Sequence, residues 1–203
     1  MPAKSSFTRD MVIEAAFKIV RARGRNKLSA RAIARELNGS TMPLYSNIKS
    51  MKELDRELRE KAINLLLTYQ TTPRTGLTFF DMGLGYVLFA RNEKNLFRFL
   101  FEGNDPRKQN SAGKTLEEFA LKNLIEKMKT DPILEGLDEQ RLESVLTKMW
   151  IFTHGLACLI NNKALLPDDE TYIRGILEET GLSVIRGEKA IAQRNAAEVS
   201  SPV

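Results

Sequence analysis

The spacing of apolar residues constrains this chain most strongly, because it follows the period of an α-helix in nearly every segment between turn residues. Near the start, four apolar residues show the i, i+3, i+4, i+7 pattern of one helix face: Ile13, Ala16, Phe17 and Val20. Thr8 can cap this helix and Gly24 can end it. Strand-like alternation is scarce. The sequence therefore predicts an all-α protein of about nine helices.

Capping and turn residues divide the rest of the chain into further helices. Ser50 with Glu53 forms an S-x-x-E capping box, and Asp138 can cap a long helix. The tail after residue 187 lacks an apolar stripe, so we expect it to fray. The expected helices beyond the first fifty residues cover 50–69, 77–90, 96–101, 114–129, 138–160 and 167–186.

Two short helices joined by a tight turn stand before the capping box. Ser29 and Ser40 are the predicted caps of helices over 30–37 and 41–47. The Asn38-Gly39 pair supplies the turn, since both residues tolerate positive φ. This order predicts a helix-turn-helix, whose second helix can enter the major groove of DNA.

The charge is unevenly distributed along the chain. Residues 1–49 hold ten Lys or Arg and three Asp or Glu, a net charge of +7, whereas the remainder has a net charge of −2. A basic module on a near-neutral body is typical of a protein that binds a phosphate backbone. Charge alone leaves a solvated surface as the simpler interpretation, and the turn motif favours DNA.

Residues 28–54, LSARAIARELNGSTMPLYSNIKSMKEL, resemble the signature of the tetracycline-repressor (TetR/AcrR) family of transcriptional regulators. Two departures concern Ile48, where an aromatic residue is more usual, and Pro43 at a base-facing position. The resemblance implies a DNA-binding domain over 1–49 and a helical ligand-binding and dimerisation domain over 50–203. The matching positions are Ile33, Ala34, Leu44, Tyr45, Ile48, Ser50 and Leu54.

The first domain supplies the residues predicted to contact DNA. Ser29 and Ser40 can donate hydrogen bonds to phosphate. The resemblance implies phosphate contacts for Tyr45 and Lys49, and the alternative for Tyr45 is a place at the edge of the core. Thr41 and its two successors would face base edges. The predicted set is Ser29, Arg31, Ser40, Thr41, Met42, Pro43, Tyr45, Ser46 and Lys49.

The second domain supplies a predicted ligand pocket and a predicted dimer interface, with ordinary core packing as the alternative for each residue. His154 and Cys158 are too few to indicate a metal, and we expect no cofactor. The pocket set is Met82, Tyr86, Phe89, Phe97, Phe101, Trp150, Thr153 and His154. The interface set is Met149, Phe152, Leu156, Ile173, Ile176, Leu177 and Val184.

These features together predict a homodimeric transcriptional regulator that binds a double-stranded DNA operator and an apolar or aromatic small-molecule effector. Repression released by the effector is the family default. The alternative is a helical protein-interaction scaffold without sequence-specific DNA binding. We do not expect an enzyme, since the chain has one histidine and its SAGKT segment lacks the first glycine of a phosphate loop.

The expected location is the cytoplasm. The chain has a single cysteine, and its polar start lacks the apolar region of a signal peptide. No segment is apolar over the roughly 18 residues that a membrane span needs. The sequence therefore predicts no membrane partner.

Overall fold

The structure is a computed structural model that describes residues 7–101, 124–165 and 169–199. These ranges contain helices and turns and no strand, which confirms the predicted all-α fold. Residues 124–128 are helical, and none of the helices in these ranges is long and apolar enough to cross a membrane. The helices with defined bounds are α1 Arg9–Arg23, α2 Ala30–Glu36, α3 Met42–Tyr45, α4 Met51–Thr71, α5 Thr78–Asn92, α6 Lys94–Phe101, α7 Glu139–Asn161 and α8 Glu170–Val199.

The chain forms two compact units. The first comprises the described residues of 1–65 and 93–114, and the second comprises those of 66–92 and 115–203. The first unit therefore holds α1 to α3, most of α4, and α6. The functional boundary predicted after residue 49 stays a prediction.

Local capping explains why most helices begin where they do. The side-chain oxygens of Thr8, Ser29 and Asp138 each accept a hydrogen bond from the backbone amide three residues later, at 3.2, 3.2 and 2.8 Å. Each bond satisfies one of the amides that a helix start leaves without an intrahelical acceptor. Gly24 ends α1 with a φ of 86°, and its amide donates to the Val20 carbonyl. These predicted helix ends are confirmed.

Helix α3 is shorter than predicted, and its predicted cap is wrong. It begins at Met42 and ends at Tyr45, so the N-cap position falls on Thr41 instead of Ser40. Thr41 has helical dihedral angles and makes no side-chain capping bond. Pro43 is therefore the second helical residue, where its missing amide hydrogen is tolerated.

Helix α8 is longer than predicted, because the segment expected to fray is helical to Val199. The helix begins at Glu170, and the carboxylate of the preceding Asp169 accepts a hydrogen bond from the Tyr172 amide at 3.0 Å. Residues 167 and 168, where the helix was predicted to begin, lie outside the described residues. Contacts of Glu188 explain why α8 continues beyond the predicted end. The Glu188 side chain is 1% exposed and is bonded to side chains of α7. These tertiary contacts stabilise a helical segment that has no apolar stripe.

Helix α5 forms the core of the second unit. It is buried on most sides and packs against α7 and α8. The end of α4 approaches α5 so closely that a Cβ atom at Gly85 would lie 2.1 Å from the Tyr69 carbonyl oxygen. Only glycine fits at this position without a shift of the backbone, because any side chain would collide with the end of α4. Of the helix expected over 114–129, only residues 124–128 are described as helical.

Candidate nucleic-acid interface

Helix α3 is held to the first unit by one side and leaves the other side exposed. Leu44 has no exposed surface and Ile48, just after the helix, is 3% exposed. In contrast, the side chains of Met42 and Tyr45 are 79% and 61% exposed. A helix of four residues is not stable alone, so these buried anchors determine its orientation. The core-edge interpretation of Tyr45 is therefore not supported.

The remaining residues of the predicted DNA-binding set lie on the same unit. Ser29 and Arg31 are exposed at the start of α2, and Ser40, Ser46 and Lys49 are exposed beside α3. The side chain of Thr41 is half-buried, and that of Pro43 lies outside the described part of the chain. Ser29 uses its oxygen as a capping acceptor, which leaves its hydroxyl hydrogen able to donate.

The turn between α2 and α3 differs in detail from the prediction. Asn38 takes a φ of 53°, whereas Gly39 is not in the positive-φ region. The Gly39 amide donates to the Ala34 carbonyl at 2.8 Å, which closes the end of α2. Gly39 lies against Phe7: a Cβ atom there would be 2.2 Å from the ring of Phe7, so the ring would have to shift. Sequence reasoning missed this contact because Phe7 lies far from the turn along the chain.

The predicted capping box fixes the junction between α3 and α4. The Ser50 hydroxyl accepts from the Glu53 amide at 3.1 Å, and the Glu53 carboxylate accepts from the Lys49 amide at 3.0 Å. That backbone bond, with the nearby charge of Arg9, lowers the pKa of Glu53 below its ordinary value. The backbone of Lys49 is thereby held while its side chain stays exposed.

The cations of the first unit fall into two groups. One group forms ion pairs with carboxylates of the same unit, for example Arg25 with Asp55 at 2.7 Å and Arg21 with Glu93. The second group forms no ion pair with any described carboxylate and is exposed. It includes Arg23 and Arg56. Its members on α2, in the turn before α2 and at the junction after α3, which we call the open cations, are Lys27, Arg31, Arg35, Lys49 and Lys52.

The open cations precede and follow α3 along the chain. Lys27 and the two arginines belong to α2 and the turn before it, and the two lysines belong to the junction after α3. Cations that the protein's own carboxylates do not neutralise are available to phosphate groups. The open cations are therefore accessible to solvent and to a polyanion, and the solvated-surface alternative stays open.

The residues of the predicted ligand pocket belong to two compact units. Met82, Tyr86, Phe89 and Thr153 are buried in the second unit. Phe97 and Phe101 belong to the first unit and pack on each other, with ring centroids 5.0 Å apart. Their assignment to a pocket with the others stays a prediction, since α6 belongs to a different compact unit.

Polar contacts do join part of the predicted pocket set. The Tyr86 hydroxyl and His154 Nδ1 are 2.9 Å apart, and Trp150 stacks on the His154 ring at 5.6 Å. Burial raises the pKa of Tyr86 and lowers the pKa of His154, so a protonated phenol faces a neutral imidazole at pH 7. Cys158 Sγ lies 3.6 Å from His154 Nε2. Across the described ranges, no three His, Cys, Asp or Glu side chains group as a metal site.

An open groove of about 470 Å³ lies in the first unit between α1 and α2. Sequence reasoning missed it because no single stretch of sequence contributes its walls. Its floor is apolar and its rim is charged, and the rim cation Lys18 lowers the pKa of the neighbouring Glu36. The lining residues are Met11, Glu14, Ala15, Phe17, Lys18, Arg21, Glu36 and Leu37.

The predicted dimer interface divides in two. Met149, Leu156, Ile173 and Leu177 are buried in the core of their own chain, so the alternative of ordinary core packing holds for these four. They leave no surface for a partner, and their assignment to the interface is corrected. The other three, which are half-buried, are Phe152, Ile176 and Val184.

A different part of α7 exposes large apolar side chains. Ile151 is 62% exposed and Leu159 is 47% exposed, and they lie two helical turns apart on the same side. Between them is Gly155, over which the space within 4 Å is empty. Trp150, predicted in the pocket, is 51% exposed. The apolar stripe of α7 was identified correctly, but the side that faces solvent was not.

No protein-family model matches this chain, and no curated protein is significantly similar to it. The resemblance to the tetracycline-repressor family therefore stays a prediction that depends on residues 28–54.

Proposed function

We propose that this chain is a homodimeric transcriptional regulator of the cytoplasm that binds operator DNA and is released by a small-molecule effector. The observation that carries the proposal is the outward face of α3. A short helix anchored by Leu44 and Ile48 presents Met42 and Tyr45 to solvent. Such a face can enter the major groove, where the methionine meets thymine methyl groups and the tyrosine hydroxyl meets a phosphate.

The open cations supply the second support. They surround α3 in the chain and stay outside the ion pairs of their own unit. Binding would bring them next to phosphates and release counterions, which makes affinity fall steeply with salt. Electrostatic attraction of this kind positions a protein on DNA, and contacts from α3 would then supply sequence preference.

The exposed apolar residues of α7 support the homodimer. Ile151 and Leu159 expose apolar surface that a dimer would bury, and Gly155 between them allows a second helix to approach closely. Two copies related by a two-fold axis would present two copies of α3 to a palindromic site. Replacing Ile151 by Glu is expected to yield folded monomers in light scattering. A dimer that persists in this variant would remove the interface from this face.

The cluster of Tyr86, Trp150 and His154 supports an effector with an apolar or aromatic body and one polar group. The phenol and the neutral imidazole can each donate and accept hydrogen bonds, and the indole offers an aromatic face. A ligand that binds one conformation of the second unit more tightly than another shifts the population toward it and so weakens DNA binding.

The deciding experiment measures binding by fluorescence anisotropy. Its probes are the duplex that the protein enriches from a random pool and a scrambled duplex of the same composition. We expect preference for the enriched duplex, and we expect Tyr45→Ala to weaken binding by about tenfold, since one lost charge-assisted contact is worth roughly 1–3 kcal/mol.

The matched control is Lys127→Ala, which removes an exposed cation of the second unit and should leave binding unchanged. Equal affinity for both duplexes would contradict the proposal. If another protein also binds at the exposed apolar residues of α7, the two results together would favour the scaffold alternative.

A further inference from the structure

Phe7 contacts both flanks of α3. Its ring lies against Gly39, in the turn before the helix, so closely that a Cβ atom there would be 2.2, 3.0 and 3.2 Å from three ring carbons. Its carbonyl oxygen accepts a hydrogen bond from Asn47 Nδ2 at 2.8 Å, just after the helix. Phe7 itself is buried, although it precedes α1 and lies at the edge of the described residues.

These contacts matter because α3 has little stability of its own. The helix has four residues, and no side chain caps its start. Few intrahelical hydrogen bonds can form over that length, so the direction of its exposed face depends on what holds its two ends. Leu44 and Ile48 hold it from the core side, and Phe7 holds the turn before it and the residue after it.

We infer that Phe7 is a positioning residue for α3, which aims Met42 and Tyr45 without touching DNA itself. The inference rests on the proposed function, since it concerns the same DNA-reading face. A shift of about 1 Å at such a face is enough to lose hydrogen bonds to base edges, whereas contacts to the flexible phosphate backbone adapt more easily. Phe7 should therefore control sequence preference more than general affinity.

The test uses the enriched and the scrambled duplex as probes for the full chain. Phe7→Ala is expected to reduce the ratio of the two affinities by at least about tenfold, the amount that one or two base contacts contribute. Binding to the scrambled duplex and its salt dependence should change little, because the open cations remain. Helix content by circular dichroism identifies variants that are folded.

A second pair of variants probes the same contact from its other side. Gly39→Ala adds a methyl group where the Phe7 ring lies, and the backbone of Gly39 does not require glycine. We expect the same loss of preference. Phe7→Leu in the Gly39→Ala background makes room for that methyl group and should restore at least part of the ratio, which a merely destabilised protein would not do.

The outcomes separate the two claims. If the unaltered chain does not prefer the enriched duplex, the proposed function fails. If it does, and folded Phe7→Ala keeps the full ratio, the positioning role is wrong while the proposed function stands. Should Phe7→Ala fail to fold, Gly39→Ala decides: an unchanged ratio overturns the inference, and a loss that Phe7→Leu reverses supports it.

Discussion

Charge has different roles at two places in the two compact units. In the second unit, buried carboxylates are fully engaged: Glu188 bonds to Ser144 at 2.6 Å and to Arg141 and Lys148, and Asp131 accepts from the Phe79 amide at 2.7 Å. In the first unit, the open cations around α3 have no carboxylate partner within the described residues. The buried carboxylates of the second unit bind groups of their own unit, and the open cations of the first unit leave positive charge available for a partner.

The difference separates residues that stabilise the fold from residues that are available for binding. A buried ion pair is strongly destabilising when one partner is removed, because the other charge stays desolvated. An exposed cation without a partner contributes little to folding, and its removal changes stability by a few tenths of a kcal/mol. Substitutions of the buried carboxylates should therefore change unfolding, and substitutions of the open cations should change binding.

The largest expected effect concerns close packing in the second unit. Gly85→Ala should lower the free energy of unfolding by about 3 kcal/mol, because the new methyl group would collide with the backbone of α4. Denaturant unfolding followed by circular dichroism measures this. The control is Gly175→Ala on α8, which meets open space and should be neutral or slightly stabilising. Equal stability of the two variants would refute the close crossing.

The next effect concerns the buried carboxylate. Glu188→Gln should destabilise the chain by about 2 kcal/mol, since it removes the charge that three side chains of α7 bind. Glu143→Gln, an exposed change on the same helix α7, is the control and should be within about 0.5 kcal/mol of the original chain. A small effect at Glu188 would mean that the tail of α8 is not held by this cluster.

A smaller effect separates the two groups of cations. Arg31→Ala should leave the unfolding midpoint almost unchanged but reduce the slope of log affinity against log salt by about one. Arg21→Ala should lower the unfolding midpoint, because it removes the ion pair to Glu93. It should leave the salt slope unchanged, because Arg21 is not among the residues proposed to contact DNA. Salt titrations with the scrambled duplex and thermal melts of both variants measure the contrast. If the two variants had the same slope of log affinity against log salt, the open cations would not differ from the ion-paired cations in DNA binding.

The smallest effect is the pH dependence of the Glu188 contribution. Hydrogen bonds from Lys148 and Ser144 lower the pKa of Glu188 from 4.5 to about 2. A carboxyl whose pKa is lower in the folded state stabilises the fold at pH values above its unfolded pKa. This stabilisation is lost as the pH falls through the folded pKa. The difference in unfolding free energy between the original chain and Glu188→Gln should be constant from pH 7 to about 5 and then decline toward pH 2. A decline that is complete by pH 4 would contradict this.

Sequence reasoning identified what depends on near neighbours. The caps Thr8, Ser29 and Asp138 were predictable because each bond spans three residues. The exposure of Tyr45 and Lys49 was predictable because the apolar residues around them, Leu44 and Ile48, mark the buried side.

Contacts between distant segments were not predictable. Apolar spacing places Met149 and Trp150 on a helix, but it does not say which neighbouring helix each one faces, and one is buried while the other is exposed. Apolar spacing also does not show that Phe97 belongs to a different compact unit from the other predicted pocket residues. The contact of Phe7 with Gly39 joins segments thirty-two positions apart and carries no local signal.

The stacking of Trp150 on His154 makes the chain its own optical reporter. Each is the single residue of its kind in the sequence, so intrinsic indole emission comes from one place, beside the proposed effector cluster. A protonated imidazole quenches a neighbouring indole more strongly than a neutral one, and burial keeps the pKa of His154 below its ordinary value. The emission should therefore stay bright at neutral pH, dim in acid, and respond to any molecule that separates the two rings.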